Sequence, residues 1–147
     1  MATATLDEVR SDIWNVLKTG LTTVLVKPEH PTEQLGKFPA MVVYVSSGEW
    51  TNDTPEGKKV LAQIAVEIHV SRPALGLHRA IDQLQEYLES VPNLLFYARK
   101  AATGNIFTKN FTFGTIAFEI LASSWAGTDT TMARFTINDV KVRNAVT

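Results

Sequence analysis

Cysteine is absent from the sequence, which excludes disulfide frameworks, thiol nucleophiles and thiolate metal sites. An excess of one charge is also missing, since 14 basic side chains stand against 15 acidic ones. This balance argues against a protein whose main task is to neutralise nucleic-acid phosphates, because that task leaves a basic excess.

Long apolar runs are missing too. The stretch at 40–45 is far too short to span a bilayer, and the N-terminus has no basic region followed by an apolar run, so we expect neither a signal peptide nor a membrane segment.

The chain of 147 residues, 45% of them hydrophobic, is long enough to bury a core without a metal or disulfide. Its length corresponds to one domain, which we expect to span residues 1–147. The absence of cysteine and of a targeting segment fits a protein made in a cytoplasm.

Motifs for phosphate loops, dinucleotide binding and nucleophile elbows are absent. The three histidines are scattered, at His30, His69 and His78. His69 stands two residues after Glu67 on the polar side of an expected strand, where we predict solvent exposure, and no third ligand lies near enough in sequence to complete a metal site. The sequence therefore predicts no enzyme, no cofactor and no metal. An enzyme whose site is assembled from distant residues remains the alternative from a different functional class.

Two amphipathic helices are predicted. The first begins with Thr5 and Glu8 in a capping-box pattern and ends at Gly20, a residue that can adopt the left-handed conformation. The second begins within 73–77 and ends at Pro92. The apolar positions recur at helical spacing: Leu6, Val9, Ile13, Val16 and Leu17 in the first helix, and Leu77, Ala80, Ile81, Leu84, Leu88 and Val91 in the second.

Four strands are predicted. A β-branched run at 40–45 and a strict alternation over 60–71 should form an antiparallel hairpin, joined by a long, protruding connection rich in turn residues at 46–57. After a variable loop region at 93–114, strands are expected near 116–121 and 133–142. A turn at 126–129 joins them, and the apolar register slips at Asn138-Asp139 as in a β-bulge.

The element order α-β-β-α-β-β predicts an α/β (α+β) fold in which both helices pack on a mainly antiparallel sheet. One residue from each main apolar face is expected in the core: Ile13, Val43, Ile68, Leu84, Phe118 and Phe135.

Aromatic residues stand near several loops. Phe107, Phe111 and Phe113 lie close to Arg99, Lys100 and Lys109, a mixture that stacking platforms for RNA also use, although core packing is the simpler interpretation. Trp50 and Trp125 stand beside the two hairpin connections. Each is expected either to rim the core or to anchor an interface, since tryptophan is enriched among residues that dominate association energy.

The chain resembles the tail terminator (tail completion) proteins of long-tailed bacteriophages. The resemblance extends from Leu6 to Val142 and consists of element order, length and patterning. The pattern includes the strand Ala-Met-Val-Val-Tyr-Val, the strand ending in Glu-Ile-His-Val, and a final strand pair ending in Phe-Thr-Ile-Asn-Asp-Val-Lys-Val. Its clearest local features are the entry through Phe38-Pro39 and the strand–helix junction at 71–77.

The resemblance implies a structural virion protein that forms a homohexameric ring at the junction of tail and neck. Such a ring caps the tail tube, ends polymerisation of the tail tube protein and joins the head–tail connector, while the genome passes through it without sequence-specific binding. The alternatives are another neck or head–tail joining protein, the enzyme above, or an RNA-binding α/β module. The candidate interface comprises Glu49, Trp50, Asp53, Glu56, Lys58 and Lys59 in the first connection and Trp125 and Asp129 in the second.

Overall fold

The computed structural model describes residues 4–29, 37–100 and 107–145, without the side chains of residues 53, 73–75, 100, 144 and 145. Two helices and four strands follow one another in the order that the sequence predicts: α1 (Leu6–Gly20), β1 (Ala40–Thr54), β2 (Gly57–Ser71), α2 (Arg72–Lys100), β3 (Ile116–Trp125) and β4 (Thr128–Ala145). His30 lies outside the described residues.

Helix α1 begins at the predicted capping box. The Thr5 amide donates to Glu8 Oε1 over 2.9 Å, and the Glu8 amide donates to Thr5 Oγ1 over 3.1 Å, so two otherwise unpaired amides are satisfied. The expected role of Gly20 is wrong. The described glycines with positive φ are Gly76 and Gly127, and Gly20 instead leaves room for Leu94 of α2, whose Cδ2 would lie 2.5 Å from an added Cβ.

Strands β1 and β2 form the predicted antiparallel hairpin. The prediction of a long connection between them, over residues 46–57, is wrong. Both strands run through the segment assigned to a loop, and a two-residue turn at Pro55 and Glu56 joins them. Two β-bulges interrupt the register of this segment, between Val45 and Ser47 and between Asn52 and Thr54. The backbone hydrogen bonds of a regular hairpin are retained on either side of each bulge.

Helix α2 continues past Pro92 to Lys100, so the expected end at that proline is wrong. Proline removes one hydrogen bond and crowds the preceding turn, which costs about 3 kcal/mol. The residues after it offset this cost, because Leu95 and Ala98 prolong the buried stripe of Leu84 and Val91. Gly76, at φ +74°, separates the first turn from the main helix, and Leu77 beside it is 57% exposed, against expectation.

The sheet is antiparallel with strand order β1-β2-β4-β3, which confirms the predicted α+β class. The predicted bulge is present, since β4 shifts register against β2 between Ile137 and Val140 and Asp139 adopts φ +59°. A two-residue turn, Ala126 at φ +50° and Gly127 at φ +83°, joins β3 to β4. Positive φ at both positions is the geometry of a type I′ hairpin turn.

The main core lies between the helices and one face of the sheet. Five of the six predicted core residues are fully buried there, namely Ile13, Val43, Ile68, Leu84 and Phe135. The prediction for Phe118 is wrong. This residue pairs with Phe135 and lies on the same sheet face, yet it is 59% exposed. Strand β3 is one of the two edge strands, and α1 and α2 pack mainly over β1, β2 and β4, which leaves Phe118 uncovered.

Candidate functional site

A polar cluster occupies the sheet face that points away from the helices. We call it the buried polar cluster, and it consists of Tyr44, Glu67, His69, Thr130 and Arg134. His69 Nε2 lies 3.1 Å from Glu67 Oε1, and His69 Nδ1 lies 2.9 Å from Thr130 Oγ1. The Tyr44 hydroxyl and, over 3.3 Å, Arg134 Nε both donate to Glu67 Oε2. The expected solvent exposure of Glu67 and His69 is therefore wrong, since they are 9% and 2% exposed.

Strong hydrogen bonds hold Glu67 in its charged form. Burial raises the pKa of this carboxyl, but hydrogen bonds from His69 and Tyr44, together with the positive charge of Arg134, outweigh burial and set the pKa below 4.5. Burial and the hydrogen bond to Glu67 raise the pKa of Tyr44 to about 12. The charged carboxylate is thus the centre around which the cluster is organised.

The order Thr130, His69, Glu67 is that of a hydroxyl, a base and an acid in nucleophilic catalysis. In this structure Thr130 is fully buried, so its hydroxyl has no route to a substrate. Both ring nitrogens of His69 already have partners, which leaves neither for a metal ion. The hydrogen bonds among Thr130, His69 and Glu67 therefore serve to pack this face of the sheet.

Trp125 covers this cluster. Its ring lies 5.2 Å from the His69 ring, centroid to centroid, and it packs with Val26, Ala40 and Val42 in a second, small apolar cluster. Only 2% of Trp125 is exposed. Of the two roles that the sequence left open for this residue, the structure shows packing within the protein, and its burial removes it from the candidate surface.

Most of the other candidate residues lie on the first hairpin, but on both of its faces. Trp50 is 47% exposed, and Lys58 Nζ lies over its ring, 4.7 Å from the centroid. Glu49 and Lys59 lie on the opposite sheet face, because they are register partners of Leu61 and Thr51 rather than of the buried Val60. Glu56 is exposed at the turn. The side chain of Asp53 lies outside the described part of the chain, and the exposed Asp129 stands at the other hairpin.

A trough of about 910 Å³ opens beside this hairpin. Its lining is polar and carries both charge signs, with Lys59 and Lys141 near Glu49 and Asp139. The segment Thr112–Gly114 forms one wall and is held to β4 by hydrogen bonds between Thr112 and Lys141. The mixed charges and the wide opening do not select one class of small ligand.

Sequence reasoning missed the role of Asp12. This side chain is 5% exposed and accepts from the amides of Thr108 and Lys109 over 2.8 and 3.0 Å, and from Thr108 Oγ1 over 3.0 Å. It fixes the loop that brings Phe107 and Phe113 into the core, which confirms the packing interpretation of these rings. No local pattern reveals a carboxylate that caps a loop 96 residues away.

Phe118 is the second missed feature. It lies on the edge strand, and its partly buried neighbours Ile116 and Ile120 share its face. Alternation predicts which residues of a strand share a face, but it does not distinguish an edge strand from a central one. Proline and lysine commonly mark an exposed edge strand, and β3 has neither, so no local signal indicated its position at the edge.

His78, the second histidine of the described ranges, lies at the surface. His78 is almost fully exposed, with Asp82 Oδ2 3.4 Å from its Nε2. Within the described ranges no group of three potential ligands (His, Asp, Glu) surrounds a metal position. None of the described helices is both long and apolar enough to cross a membrane.

No protein family model and no curated protein matches the chain.

Proposed function

We propose that this chain is a structural virion protein that assembles into a ring, most simply of six copies, at the end of a phage tail tube. In this role it ends polymerisation of the tail tube protein and provides the junction to the connector or neck proteins. The genome passes through the ring without sequence-specific contacts. The resemblance described above supplies the identity of the partners.

One observation supports assembly independently of the resemblance. Each edge strand of the sheet carries an exposed aromatic residue, Trp50 on β1 and Phe118 on β3. Large aromatic side chains contribute strongly to association when a partner covers them. Because the two residues lie on opposite edges, they favour a head-to-tail contact, which repeats around a ring when its rotation closes.

The first experiment measures the assembly state of the purified chain. Light scattering and negative-stain images should give closed rings with six-fold symmetry. A monomer at all concentrations, or open filaments, would contradict the proposal.

The second experiment concerns the position in the virion. A tail reconstruction should place one ring of this chain between tube and neck, and the chain added to polymerising tail tube protein should stop elongation. Density spread along the tube or enclosed in the capsid would contradict the terminator function. A ring at the neck that leaves tube length unchanged would favour another head–tail joining protein.

A further inference from the structure

We propose that copies of this chain join edge to edge, so that β3 of one copy pairs antiparallel with β1 of the next and one sheet continues through the assembly. The partner is thus a second copy of this chain. The inference rests on the proposed ring function and identifies the surfaces that build the ring.

The direction of the strands makes the two edges complementary. The sheet has four strands, each antiparallel to its neighbour, in the order β1-β2-β4-β3. The two edge strands therefore run in opposite directions. A second copy placed beside the first in the same orientation brings β1 against β3 in the antiparallel sense, which is the pairing that the subunit already uses.

Within the described ranges, the edge at β3 has few of the features that normally prevent such pairing, and Glu119 is its single charged side chain. Strand β3 has ten residues without proline or lysine, and its register with β4 contains no bulge. Proteins usually protect an exposed edge with these features or with a very short strand. Its outward backbone groups and the exposed Phe118 form a surface on which another strand can be added.

The edge at β1 has a matching segment. Of the described residues, Val26 covers the beginning of β1 through a bridge to Ala40, whereas the stretch from Ser47 to Asn52 is regular between the two bulges. Trp50 lies in this stretch on the same sheet face as Phe118, since its partner Val60 and Phe118's partner Phe135 both belong to the main core. In a continued sheet the two exposed rings therefore lie on one face.

Charge selects the register. Glu119 is the one charged residue of β3, and it lies on the face opposite Phe118. Pairing Phe118 directly with Trp50 would place Glu119 against Glu49, and like charges directly opposite are destabilising. A shift of two residues pairs Trp50 with Ile120 and leaves Phe118 diagonal to it. Glu119 then faces Thr51 of β1, and the register partner of Thr51 on β2 is Lys59.

The cysteine-free sequence allows a direct test by disulfide cross-linking. Residues 47, 51 and 117 are exposed and residue 123 is half-buried, so cysteine at these positions leaves the core intact. A disulfide requires Cα atoms about 4.4–6.8 Å apart. The variant Ser47→Cys/Ser123→Cys joins two positions that the proposed register pairs directly and keeps both glutamates, so it should give a ladder of cross-linked copies after mild oxidation. Thr51→Cys/Ala117→Cys joins positions that the rejected register would pair, also keeps both glutamates, and should give much less.

Single variants test the competing geometry. Glu119→Cys alone should remain uncross-linked, because head-to-tail pairing keeps two copies of β3 apart. A cross-linked dimer from this variant would show that β3 pairs with β3 about a two-fold axis, and would overturn the inference.

Phe118→Ser should raise the concentration for half-assembly by about tenfold or more. The control Tyr97→Ser changes a 65% exposed ring on α2 and should change this concentration less than about twofold.

The outcomes separate the interface from the function. Closed rings with no ladder from either double variant would overturn edge pairing and leave the ring proposal standing. A ladder from open chains that never close would support edge pairing and overturn the ring. A monomeric protein with no ladder would overturn both.

Discussion

Trp125, the last residue of β3, packs against His69 of β2 with the two ring centroids 5.2 Å apart and the ring planes tilted by 46°. This contact covers part of the sheet face that the helices leave open. A strand face that carries Glu67 and His69 is thereby buried, and the sheet has a core on each face.

We expect Trp125→Ala to lower the free energy of unfolding by about 3–5 kcal/mol, because it removes a fully packed aromatic ring and exposes the polar cluster beneath it. Trp50→Ala is the matched control. Its ring is half exposed, so stability should change by less than about 1 kcal/mol while assembly weakens. Urea unfolding of monomeric samples measures both values, and equal losses of stability would contradict the assignment.

Glu67 should make stability depend on pH in the acid range. Its pKa in the folded chain lies below the usual 4.5, so its contribution to stability is complete above pH 4.5 and is lost as the pH falls toward the folded-state pKa. Glu67→Gln should cost about 1–3 kcal/mol at pH 7, because the partners of the carboxylate lose a charged acceptor.

Urea unfolding at pH 7, 5 and 3 tests this expectation. The wild-type chain should lose more stability between pH 5 and 3 than Glu67→Gln does. Glu89→Gln, at an exposed position on α2, serves as the control and should follow the wild-type curve. Parallel curves for the wild-type chain and Glu67→Gln would show that this carboxylate does not control the acid transition.

Local sequence signals predicted the elements well, and the failures have a common physical origin. The Thr5–Glu8 capping box and the Asn138–Asp139 bulge depend on neighbours within a few residues, so their sequence is sufficient to predict them. The burial of His69 depends on Trp125, which is 56 positions later in the printed sequence.

The same reasoning applies to Pro92 and Phe118. Whether a helix continues through a proline depends on how much apolar surface the following turns bury. Whether a phenylalanine in an alternating strand is covered depends on strand order and on where the helices pack. Neither quantity is encoded within a window of neighbouring residues, and the exposed edge was therefore missing from the predicted interface.

Asp12 should control the order of the loop after α2. Asp12→Ala removes three hydrogen bonds to Thr108 and Lys109, and two of the donors that lose their acceptor are backbone amides. We expect a loss of about 2–3 kcal/mol and faster cleavage by trypsin at Lys109. Asp82→Ala, which removes an exposed carboxylate on α2, should change stability by less than about 0.5 kcal/mol. Unchanged proteolysis in Asp12→Ala would show that other contacts hold the loop.

The turn between β3 and β4 offers a substitution that should stabilise the chain. Ala126 adopts φ +50°, a left-handed conformation that costs an L-residue with a Cβ about 1–2 kcal/mol, whereas glycine adopts it without this cost. We therefore expect Ala126→Gly to raise the free energy of unfolding by about 0.5–1 kcal/mol. Part of the gain is offset by the greater freedom of glycine in the unfolded chain and by the lost packing of the Ala126 methyl group against the second apolar cluster. Ala122→Gly, at an exposed position within β3, has the same unfolded-state cost without the relief of strain, so it should lower stability by about 0.5–1 kcal/mol. Urea unfolding of both variants isolates the effect of the turn. A loss of stability in Ala126→Gly equal to that in Ala122→Gly would mean that the turn stores no strain at this residue.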